Sequence, residues 1–302
     1  MALLEASHLT KTYKDISVVN DVSFSLEHGK CVALLGPNGS GKTTTLRMLA
    51  GFIKPTDGNI SFNEDRLSKD FRNYVGYLPQ FPVFHNWMSG KEFLIYAGQL
   101  AHLSKTEAIK RADELLDLVN LKEVRKLRIS KYSGGMKQRL GIAQALIHAP
   151  KLIILDEPAS ALDPIGRREV LNLMRELKKD ATILFSTHIL NDAEEVSDEI
   201  LLLNEGKIIE QGSMHELESV QSTVTIKLSF TDEPKFIEDR LKEIESVFKV
   251  TRENNDYFLT VHDLQIARKQ LLEVVHRENW QLTRFEVAKT SLEDLFMKAV
   301  KK

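Results

Sequence analysis

Short segments made only of apolar residues recur through the first two thirds of the chain. Cys31–Leu35 and Leu152–Leu155 are the clearest, and each is bounded by polar residues. Such a run is typical of a strand covered on both faces of a parallel sheet. Thr182–Thr187 is interpreted as another strand of this kind. Ile200–Leu203 and Lys207–Gly212 are interpreted as a closing hairpin, so the pattern predicts a parallel core with an antiparallel end.

Other segments show different periods. Residues 3 to 30 alternate apolar and polar positions, which indicates antiparallel strands. The turn Pro55–Gly58 precedes a short predicted strand, Asn59–Phe62. From about 88 to 149 the apolar spacing is helical. We therefore expect antiparallel and helical subdomains beside the parallel core.

A second domain is predicted after a polar linker near residues 218–222. We expect a first domain over 1–217 and a second over 222–302. The second contains, in order, a strand at 224–230, a helix at 234–247, strands at 249–252 and 257–261, a helix at 264–278 and a strand at 281–287. The order β-α-β-β-α-β is that of a small ferredoxin-like α+β fold.

Composition narrows the possible classes of protein. The chain has 302 residues, 42% of them hydrophobic and 28% charged, as in globular proteins. Its net charge of −2 gives no electrostatic case for binding nucleic acid. Cys31 is the only cysteine and sits in a predicted core strand, which suits a reduced, buried thiol. No signal peptide is evident, and no apolar run approaches the ~20 residues that span a bilayer. If the function is transport across a membrane, we therefore expect the channel to be a separate chain.

One segment carries the strongest chemical signal. It matches the phosphate-binding pattern G-x-x-x-x-G-K-[ST] and reads Gly36-Pro37-Asn38-Gly39-Ser40-Gly41-Lys42-Thr43-Thr44. A predicted strand precedes it and a helix is predicted from Thr44. Backbone N–H groups of such a loop and the helix N-terminus bind phosphate. We expect Lys42 to reach the β- and γ-phosphates and the Thr43 hydroxyl to ligate Mg²⁺.

Two adjacent carboxylates, Asp156 and Glu157, end the second apolar run. The carboxyl end of a strand in an open α/β sheet is where ligands bind. We expect Asp156 to share the Mg²⁺ with Thr43, directly or through water. Glu157 is then placed to polarise a water molecule that attacks the γ-phosphate. The pair predicts that the bound nucleoside triphosphate is hydrolysed.

Three further features accompany these motifs. Gln80 follows a strand-like segment, His188 follows the strand at 182–187, and Ser133-Gly134-Gly135 opens a predicted helix. Ser133 is expected to be an N-cap, and a helix N-terminus is a site for an anion. Taken alone, Ser133 is more simply a cap, Gln80 is uninformative and His188 is more often structural than catalytic.

The order of all these motifs resembles the ATP-binding-cassette (ABC) family over residues 1 to about 215. The resemblance implies a RecA-like P-loop α/β core carrying antiparallel and helical subdomains. It implies that Tyr13 stacks on adenine and that Gln80 touches Mg²⁺ and water. Ser133, Gly134 and Gly135 match the family signature, which binds the γ-phosphate of the other ATPase subunit. Asp163 matches a loop that crosses the dimer interface, and His188 matches the histidine that contacts the γ-phosphate.

The chain departs from the family pattern at Tyr132 and Met136, where many members have Leu and Gln. The residues between them that bind phosphate are kept. We therefore still expect ATP to bind between the phosphate loop of one subunit and the signature of the other. The two substitutions put only finer effects on the rate of hydrolysis in doubt.

The resemblance implies an ATPase that uses ATP and Mg²⁺ and drives a separate permease, in the export direction, from the cytoplasmic face of the membrane. The second ATPase subunit is expected to be another copy of the chain. The segment Ser291–Phe296 is similar to the ends of ATPases paired with ABC-2-type exporter permeases. Thr290 opens it as a capping box with Glu293, and the helix so predicted either docks on its own domain or contacts the second subunit. The alternatives are a soluble ABC ATPase acting on ribosomes or DNA, and a purely regulatory ATP-binding module.

Overall fold

The structure is a computed structural model, and it describes residues 2–62, 70–160, 162–219, 224–231, 236–254, 256–288 and 296. The Cα positions divide the chain into two compact units, Met1–Ser213 and Met214–Lys302. The predicted helix after Thr290 lies outside the described residues, apart from Phe296. None of the described helices is long and apolar enough to cross a membrane.

The first unit contains two sheets and six helices among its described residues. Its strands are β1 (Ala2–Tyr13), β2 (Ile16–Glu27), β3 (Cys31–Leu35), β4 (Asp57–Phe62), β5 (Val75–Leu78), β6 (Leu152–Asp156), β7 (Thr182–Thr187), β8 (Glu199–Asn204) and β9 (Lys207–Ser213). Its helices are α1 (Lys42–Leu49), α2 (Gly90–Leu100), α3 (Lys105–Leu118), α4 (Gly134–Ala145), α5 (Pro164–Leu177) and α6 (Leu190–Val196).

The larger sheet has the order β5-β6-β7-β3-β8-β9. Its first five strands are parallel, and β9 pairs antiparallel with β8 as the predicted hairpin. Every residue of β3, β6 and β7 is buried, as expected for strands covered on both faces. The phosphate loop follows β3 and the two carboxylates end β6, so this sheet positions both motifs.

The smaller sheet is antiparallel, with the order β2-β1-β4. Buried and exposed residues alternate over Val22–Leu26 of β2, as the sequence predicts, whereas β1 buries the adjacent Leu3 and Leu4 beside a shift in its register with β2. Buried side chains of this sheet share one hydrophobic core with α1 and the larger sheet, Leu4, Leu46 and Leu184 among them. That packing fixes the helix that begins at the end of the phosphate loop.

Helices α2, α3 and α4 form the predicted helical insertion between β5 and β6. The apolar stripes bury Phe93 and Leu94 of α2 and Leu115 and Leu116 of α3. Capping boxes at Ser89 and Ser104 begin α2 and α3. This insertion carries Ser133, the residue that caps α4.

The second unit contains α7 (Met214–Ser219), β10 (Val224–Phe230), α8 (Ile237–Lys242), β11 (Val247–Glu253), β12 (Asp256–Val261), α9 (Leu264–Arg277) and β13 (Leu282–Ala288). The strand order is β11-β12-β10-β13, and all three pairings are antiparallel. This is the order of a ferredoxin-like sheet, as the sequence predicts. Apolar residues of one sheet face and of α8 and α9 make its core, for example Leu228, Leu241 and Leu271.

Two predicted helices have clearly different bounds in the structure. Helix α1 begins at Lys42, two residues before the predicted start, because the loop turns into the helix at Gly41. The predicted helix over 234–247 is much shorter: α8 ends at Lys242, and Val247 in β11 already pairs with Val261 in β12. The Val247 N–H donates to the Ile244 carbonyl in a turn between the two elements, because the chain must leave the helix in time to enter the sheet.

Candidate active site

The phosphate loop joins β3 to α1 and ends in a conformation that favours glycine. Gly41 is the N-cap of α1, and its φ of 103° lies in the left-handed region. The Thr45 N–H donates to the Gly41 carbonyl at 2.9 Å, so the helix begins immediately after it. The first N–H groups of a helix have no intrahelical partners. They and the helix dipole provide a site for the phosphates of a nucleotide.

Lys42 lies in the first turn of α1 and is 6% exposed. Its Nζ donates to the carbonyl oxygens of Gly36 and Pro37, at 2.8 and 3.1 Å. The same Nζ lies 3.7 Å from Glu157 Oε1. Burial lowers the pKa of Lys42, while the negative charges of Glu157 and Asp156 oppose that shift. The ammonium group is thus held inside the loop, beside a carboxylate from another strand.

Asp156 ends β6 and is 1% exposed. Its Oδ1 accepts hydrogen bonds from the hydroxyls of Thr43, at 3.1 Å, and Ser186, at 2.7 Å. The Tyr77 hydroxyl is also buried nearby: burial raises the pKa of Tyr77, and the charge of Asp156 raises it further. The structure therefore places Thr43 and Asp156 in contact, although 113 positions separate them.

Glu157 is 6% exposed and has a φ of 50°. A non-glycine residue is uncommon in this region, and such conformations concentrate at functional sites. His188 Nδ1 lies 2.9 Å from Glu157 Oε2 and 3.1 Å from Oε1. His188 itself follows β7, the strand next to β6, and its side chain is 42% exposed. The sheet thus brings together the two residues expected to act on the γ-phosphate.

Lys42, Thr43 and Glu157 line a cavity of about 260 Å³, whereas Asp156 and His188 are not among its lining residues. Its lining consists of Val18, Asn38, Gly39, Gly41, Lys42, Thr43, Thr44, Gln80 and Glu157. Tyr13 does not line this cavity; it ends β1, is 47% exposed, and has Lys11 Nζ 5.2 Å from its ring centre. Its ring is exposed to solvent and is therefore accessible for stacking.

The signature residues and Asp163 also lie away from this cavity. Ser133 and Asp163 are exposed N-caps, of α4 and α5. Ser133 Oγ accepts from the Met136 N–H at 3.2 Å, and Asp163 Oδ1 accepts from the Gly166 N–H at 2.9 Å. Each therefore has the capping role expected of a serine or aspartate before a helix. Neither touches the cavity formed by its own chain.

Two residues of the site were missed from the sequence. Val18 lies in β2 and lines the cavity, but its type and spacing are those of any strand residue. Ser186 is buried in β7 and contacts both carboxylate residues, through Asp156 Oδ1 and the Glu157 N–H. A polar residue within a buried apolar strand was the available signal, since buried hydroxyls need partners.

Comparison with known proteins agrees with this geometry. The family model described as "ABC transporter" matches residues 19–160. The model described as "ATP-binding protein DrrA1-3-like, C-terminal domain" matches residues 212–300. YxlF of Bacillus subtilis, described as an uncharacterized ABC transporter ATP-binding protein, is 45% identical over 300 residues, 99% of each chain. The chain belongs to the ABC transporter ATP-binding family.

Two other relatives carry more informative names. The bacitracin transport ATP-binding protein BcrA of Bacillus licheniformis is 31% identical, with 99% of this chain and 97% of BcrA covered. The daunorubicin/doxorubicin resistance ATP-binding protein DrrA of Streptomyces peucetius is also 31% identical, with 97% and 91% covered. The similarity therefore extends across both units of this ABC ATPase.

Solved structures resemble the ABC ATPase in fold. An ATP-binding subunit of an ABC transporter is 35% identical with a TM-score of 0.65, covering 72% of this chain and 92% of that one. A dimeric ATP-binding cassette in a post-hydrolysis state, bound to ADP and phosphate, is 27% identical with a TM-score of 0.63, covering 70% and 98%. The predicted P-loop α/β fold and the ATPase activity are confirmed. No protein named here supports the alternative that acts on ribosomes or DNA.

Proposed function

We propose that this ABC ATPase drives a separate membrane permease by hydrolysing MgATP at sites shared between two copies of the chain. The division of the predicted residues carries the proposal. Lys42, Asp156, Glu157 and His188 are linked around the phosphate loop, within 3.7 Å of a partner in each case. Ser133, by contrast, is exposed at the N-terminus of α4. One chain therefore contains a site for ATP at the phosphate loop. It also presents a second anion site, the N-terminus of α4, on its surface.

The residues around the loop fit a Mg²⁺ ion. Asp156 Oδ2 is buried and has no hydrogen-bond partner among the described residues. An orphaned buried oxygen of this kind suits a metal or its bound water. Thr43, whose hydroxyl donates to Asp156 Oδ1, lines the nucleotide cavity together with Gln80, and oxygen ligands are those that Mg²⁺ prefers. We assign Asp156, Thr43 and Gln80 to Mg²⁺, which when bound neutralises charge on the transferred phosphoryl group.

The remaining side chains divide the chemistry among them. Lys42 and the loop N–H groups hold the β- and γ-phosphates, and Tyr13 stacks on adenine. Glu157 orients the attacking water and accepts its proton. His188 holds the Glu157 carboxylate through Nδ1 and contacts the γ-phosphate when ATP is present. Because Glu157 is buried beside Lys42, its carboxylate is held in one orientation rather than sampling many.

The second copy completes each site. Ser133, Gly134 and Gly135 bind the γ-phosphate held by the partner's phosphate loop, since the α4 N-terminus presents N–H groups to an anion. Asp163 lies on the exposed start of α5 and crosses the same interface. The dimeric cassette with ADP and phosphate supports this arrangement, and we propose a homodimer. No nucleic-acid partner is proposed.

We assign the permease contact to a loop with several exposed apolar side chains. Phe81, Val83 and Trp87 are 71%, 89% and 68% exposed and follow Gln80 directly in sequence. Several large apolar residues exposed within one loop are typical of an interaction site. Gln80 lines the nucleotide cavity, so a change there reaches this loop through the backbone. We assign the chain to the cytoplasmic face of the membrane as a peripheral subunit.

The direction proposed is export. One relative is named for bacitracin transport and another for daunorubicin/doxorubicin resistance. We propose that the cargo here is a drug, peptide, lipid-linked or ionic compound whose contacts lie in the permease. We retain 1–217 as the nucleotide-binding domain, with its helical subdomain at about 88–149, and 222–302 as an accessory domain.

Mixing two inactive variants tests the shared site. Lys42→Ala removes ATP binding from its own loop, and Ser133→Arg blocks the signature that serves the partner. Each variant alone should have little ATP turnover, whereas mixed dimers contain one intact composite site and should recover part of the wild-type rate. Differently tagged chains would establish that mixed dimers form. Mixed dimers with no recovery would contradict sites shared in this way.

A further inference from the structure

A single buried hydroxyl connects the two carboxylate residues of the site. Ser186 lies in β7 directly opposite Asp156 in β6 and is fully buried. Its Oγ donates to Asp156 Oδ1 at 2.7 Å and accepts from the Glu157 N–H at 2.9 Å. The chemistry fixes these directions, because a carboxylate only accepts and a backbone N–H only donates.

The bond to Asp156 leaves that carboxylate with one orientation. Its Oδ1 accepts from Thr43, in the first turn of α1, and from Ser186, in β7. Its Oδ2, which has no hydrogen-bond partner in the part of the chain that the structure describes, is therefore the oxygen left for a metal ion or a metal-bound water. If the Ser186 hydroxyl were absent, Thr43 would be the one donor to Oδ1 that remains among the described residues.

The bond to Glu157 acts on the backbone. Glu157 has a φ of 50°, a conformation that persists in non-glycine residues only when the surroundings hold it. The Ser186 hydroxyl holds the N–H of this residue, and His188 holds its carboxylate at 2.9 Å. Both ends of Glu157 are thus fixed by residues of β7 and of the turn that follows it.

We infer that Ser186 is a positioning residue, which orients Asp156 toward Mg²⁺ and Glu157 toward the attacking water. The inference rests on the proposed roles of those two residues. Ser186 itself lies outside the set that lines the cavity, so it acts through its neighbours. A loss of this hydroxyl should therefore affect catalysis and metal use more than the binding of ATP itself.

The test compares Ser186→Ala with Thr182→Val, a matched control from the same strand. Thr182 is 1% exposed, and its Oγ1 likewise bridges two groups: it donates to the Glu27 carbonyl at 3.1 Å and accepts from the Gly29 N–H at 3.0 Å. It lies at the opposite end of β7 from the site. Both changes remove one bridging hydroxyl from a buried strand, but only one of them lies beside the carboxylates.

We expect Ser186→Ala to lower kcat about tenfold, as for one lost hydrogen bond to a charged group, with KM for ATP changed less than about threefold. Thr182→Val should keep the wild-type kcat. Ser186→Thr retains the hydroxyl and should restore most of the rate. Ser186→Cys has nearly the same volume but a weak donor, so it should resemble Ser186→Ala and replaces it if that variant does not fold.

A binding measurement separates positioning from general damage. The affinity for a fluorescent ATP analogue is measured with Mg²⁺ and with EDTA. In Ser186→Ala the gain in affinity from Mg²⁺ should fall about fivefold or more, while the affinity in EDTA stays at the wild-type value. The Thr182→Val variant should keep the wild-type gain.

An unchanged kcat and an unchanged gain from Mg²⁺ in Ser186→Ala would overturn the inference. Equal losses in Thr182→Val would also overturn it, because they would indicate loosening of the whole strand. Failure of the proposed function would give a different result. The wild-type chain would then show no ATP turnover that depends on Glu157, while the effect of Mg²⁺ on nucleotide affinity would still decide the role of Ser186.

Discussion

Replacing Glu157 by Gln is the sharpest test of the hydrolytic site. The side chain keeps its size and its capacity to hydrogen-bond His188, but it loses the carboxylate that accepts a proton. A positioned general base typically contributes about 10²–10⁴-fold, so turnover should fall by that factor. This corresponds to about 3–5 kcal/mol in the activation free energy.

The structure indicates that ATP binding survives this change. Glu157 Oε1 lies 3.7 Å from Lys42 Nζ, so the carboxylate competes with phosphate for that cation. At an effective dielectric constant of about 20, their Coulomb attraction is roughly 4 kcal/mol before desolvation is counted. Removing the negative charge leaves Lys42 available to the γ-phosphate, and Thr43 and Asp156 are untouched. Affinity for MgATP should therefore stay the same or increase.

Intact ATP should then hold two copies together. In MgATP the Glu157→Gln variant should elute as a dimer, and in MgADP as a monomer, as measured by size exclusion with light scattering. A turnover assay gives the rate. Asp113→Asn is a suitable control, because Asp113 forms an ion pair with Lys91 in the helical subdomain, at 2.7 Å. This variant should keep the wild-type elution behaviour and the wild-type rate of ATP turnover.

Two outcomes would refute this reasoning at different points. Wild-type turnover in Glu157→Gln would remove the carboxylate from the mechanism. An inactive variant that binds MgATP but remains a monomer would keep Glu157 in its role and contradict the ATP-bridged dimer. Weaker MgATP binding would show that Glu157 supports the nucleotide rather than competing with it for Lys42.

Three further predictions concern parts of the chain outside the hydrolytic centre. A chain ending at Val220 should bind ATP with the wild-type dissociation constant in a fluorescence titration, since all phosphate and metal motifs precede that position; a folded but non-binding truncation would contradict the domain bounds. Gly90→Ala should lower the free energy of unfolding by about 1–3 kcal/mol in urea titrations, because the added Cβ would lie 2.3 Å from the Tyr132 hydroxyl, and Tyr132→Leu should relieve most of that loss. Burial, with a smaller effect of a nearby carboxylate, raises the pKa of Cys31 to about 12 from an ordinary 9.0, so the native thiol should resist iodoacetamide at pH 8 while the unfolded chain reacts. Because the unfolded thiol ionises first, this group should also reduce stability as the pH rises above 9, which Cys31→Ala should abolish.

Much of the fold could be predicted from local patterns. The strands β3 and β10 have the predicted bounds, because an unbroken apolar run and a strict alternation each have only one simple interpretation. The helix predicted over 234–247 was too long, since its sequence is acceptable in a helix and only pairing with β12 draws Val247 into a strand. Local propensity does not include the stabilisation that a segment gains by pairing with a neighbouring strand.

The sequence by itself determined the chemistry. A phosphate loop, two adjacent carboxylates and the Ser-Gly-Gly signature identify an ABC ATPase without any knowledge of its tertiary structure. The motifs are recognisable because each depends on residue type and short spacing. The tertiary structure decided which of these groups meet. It brings Thr43 to Asp156 and His188 to Glu157, while it leaves Ser133 exposed.

The role of Ser186 also depended on the tertiary structure. The sequence shows only a serine in an apolar strand, and 30 positions separate it from Asp156. The parallel register of β6 and β7 sets these two residues side by side, and the left-handed turn at Glu157 directs its N–H to the same hydroxyl. Register and backbone conformation arise from packing of the whole sheet, which no short stretch of sequence specifies.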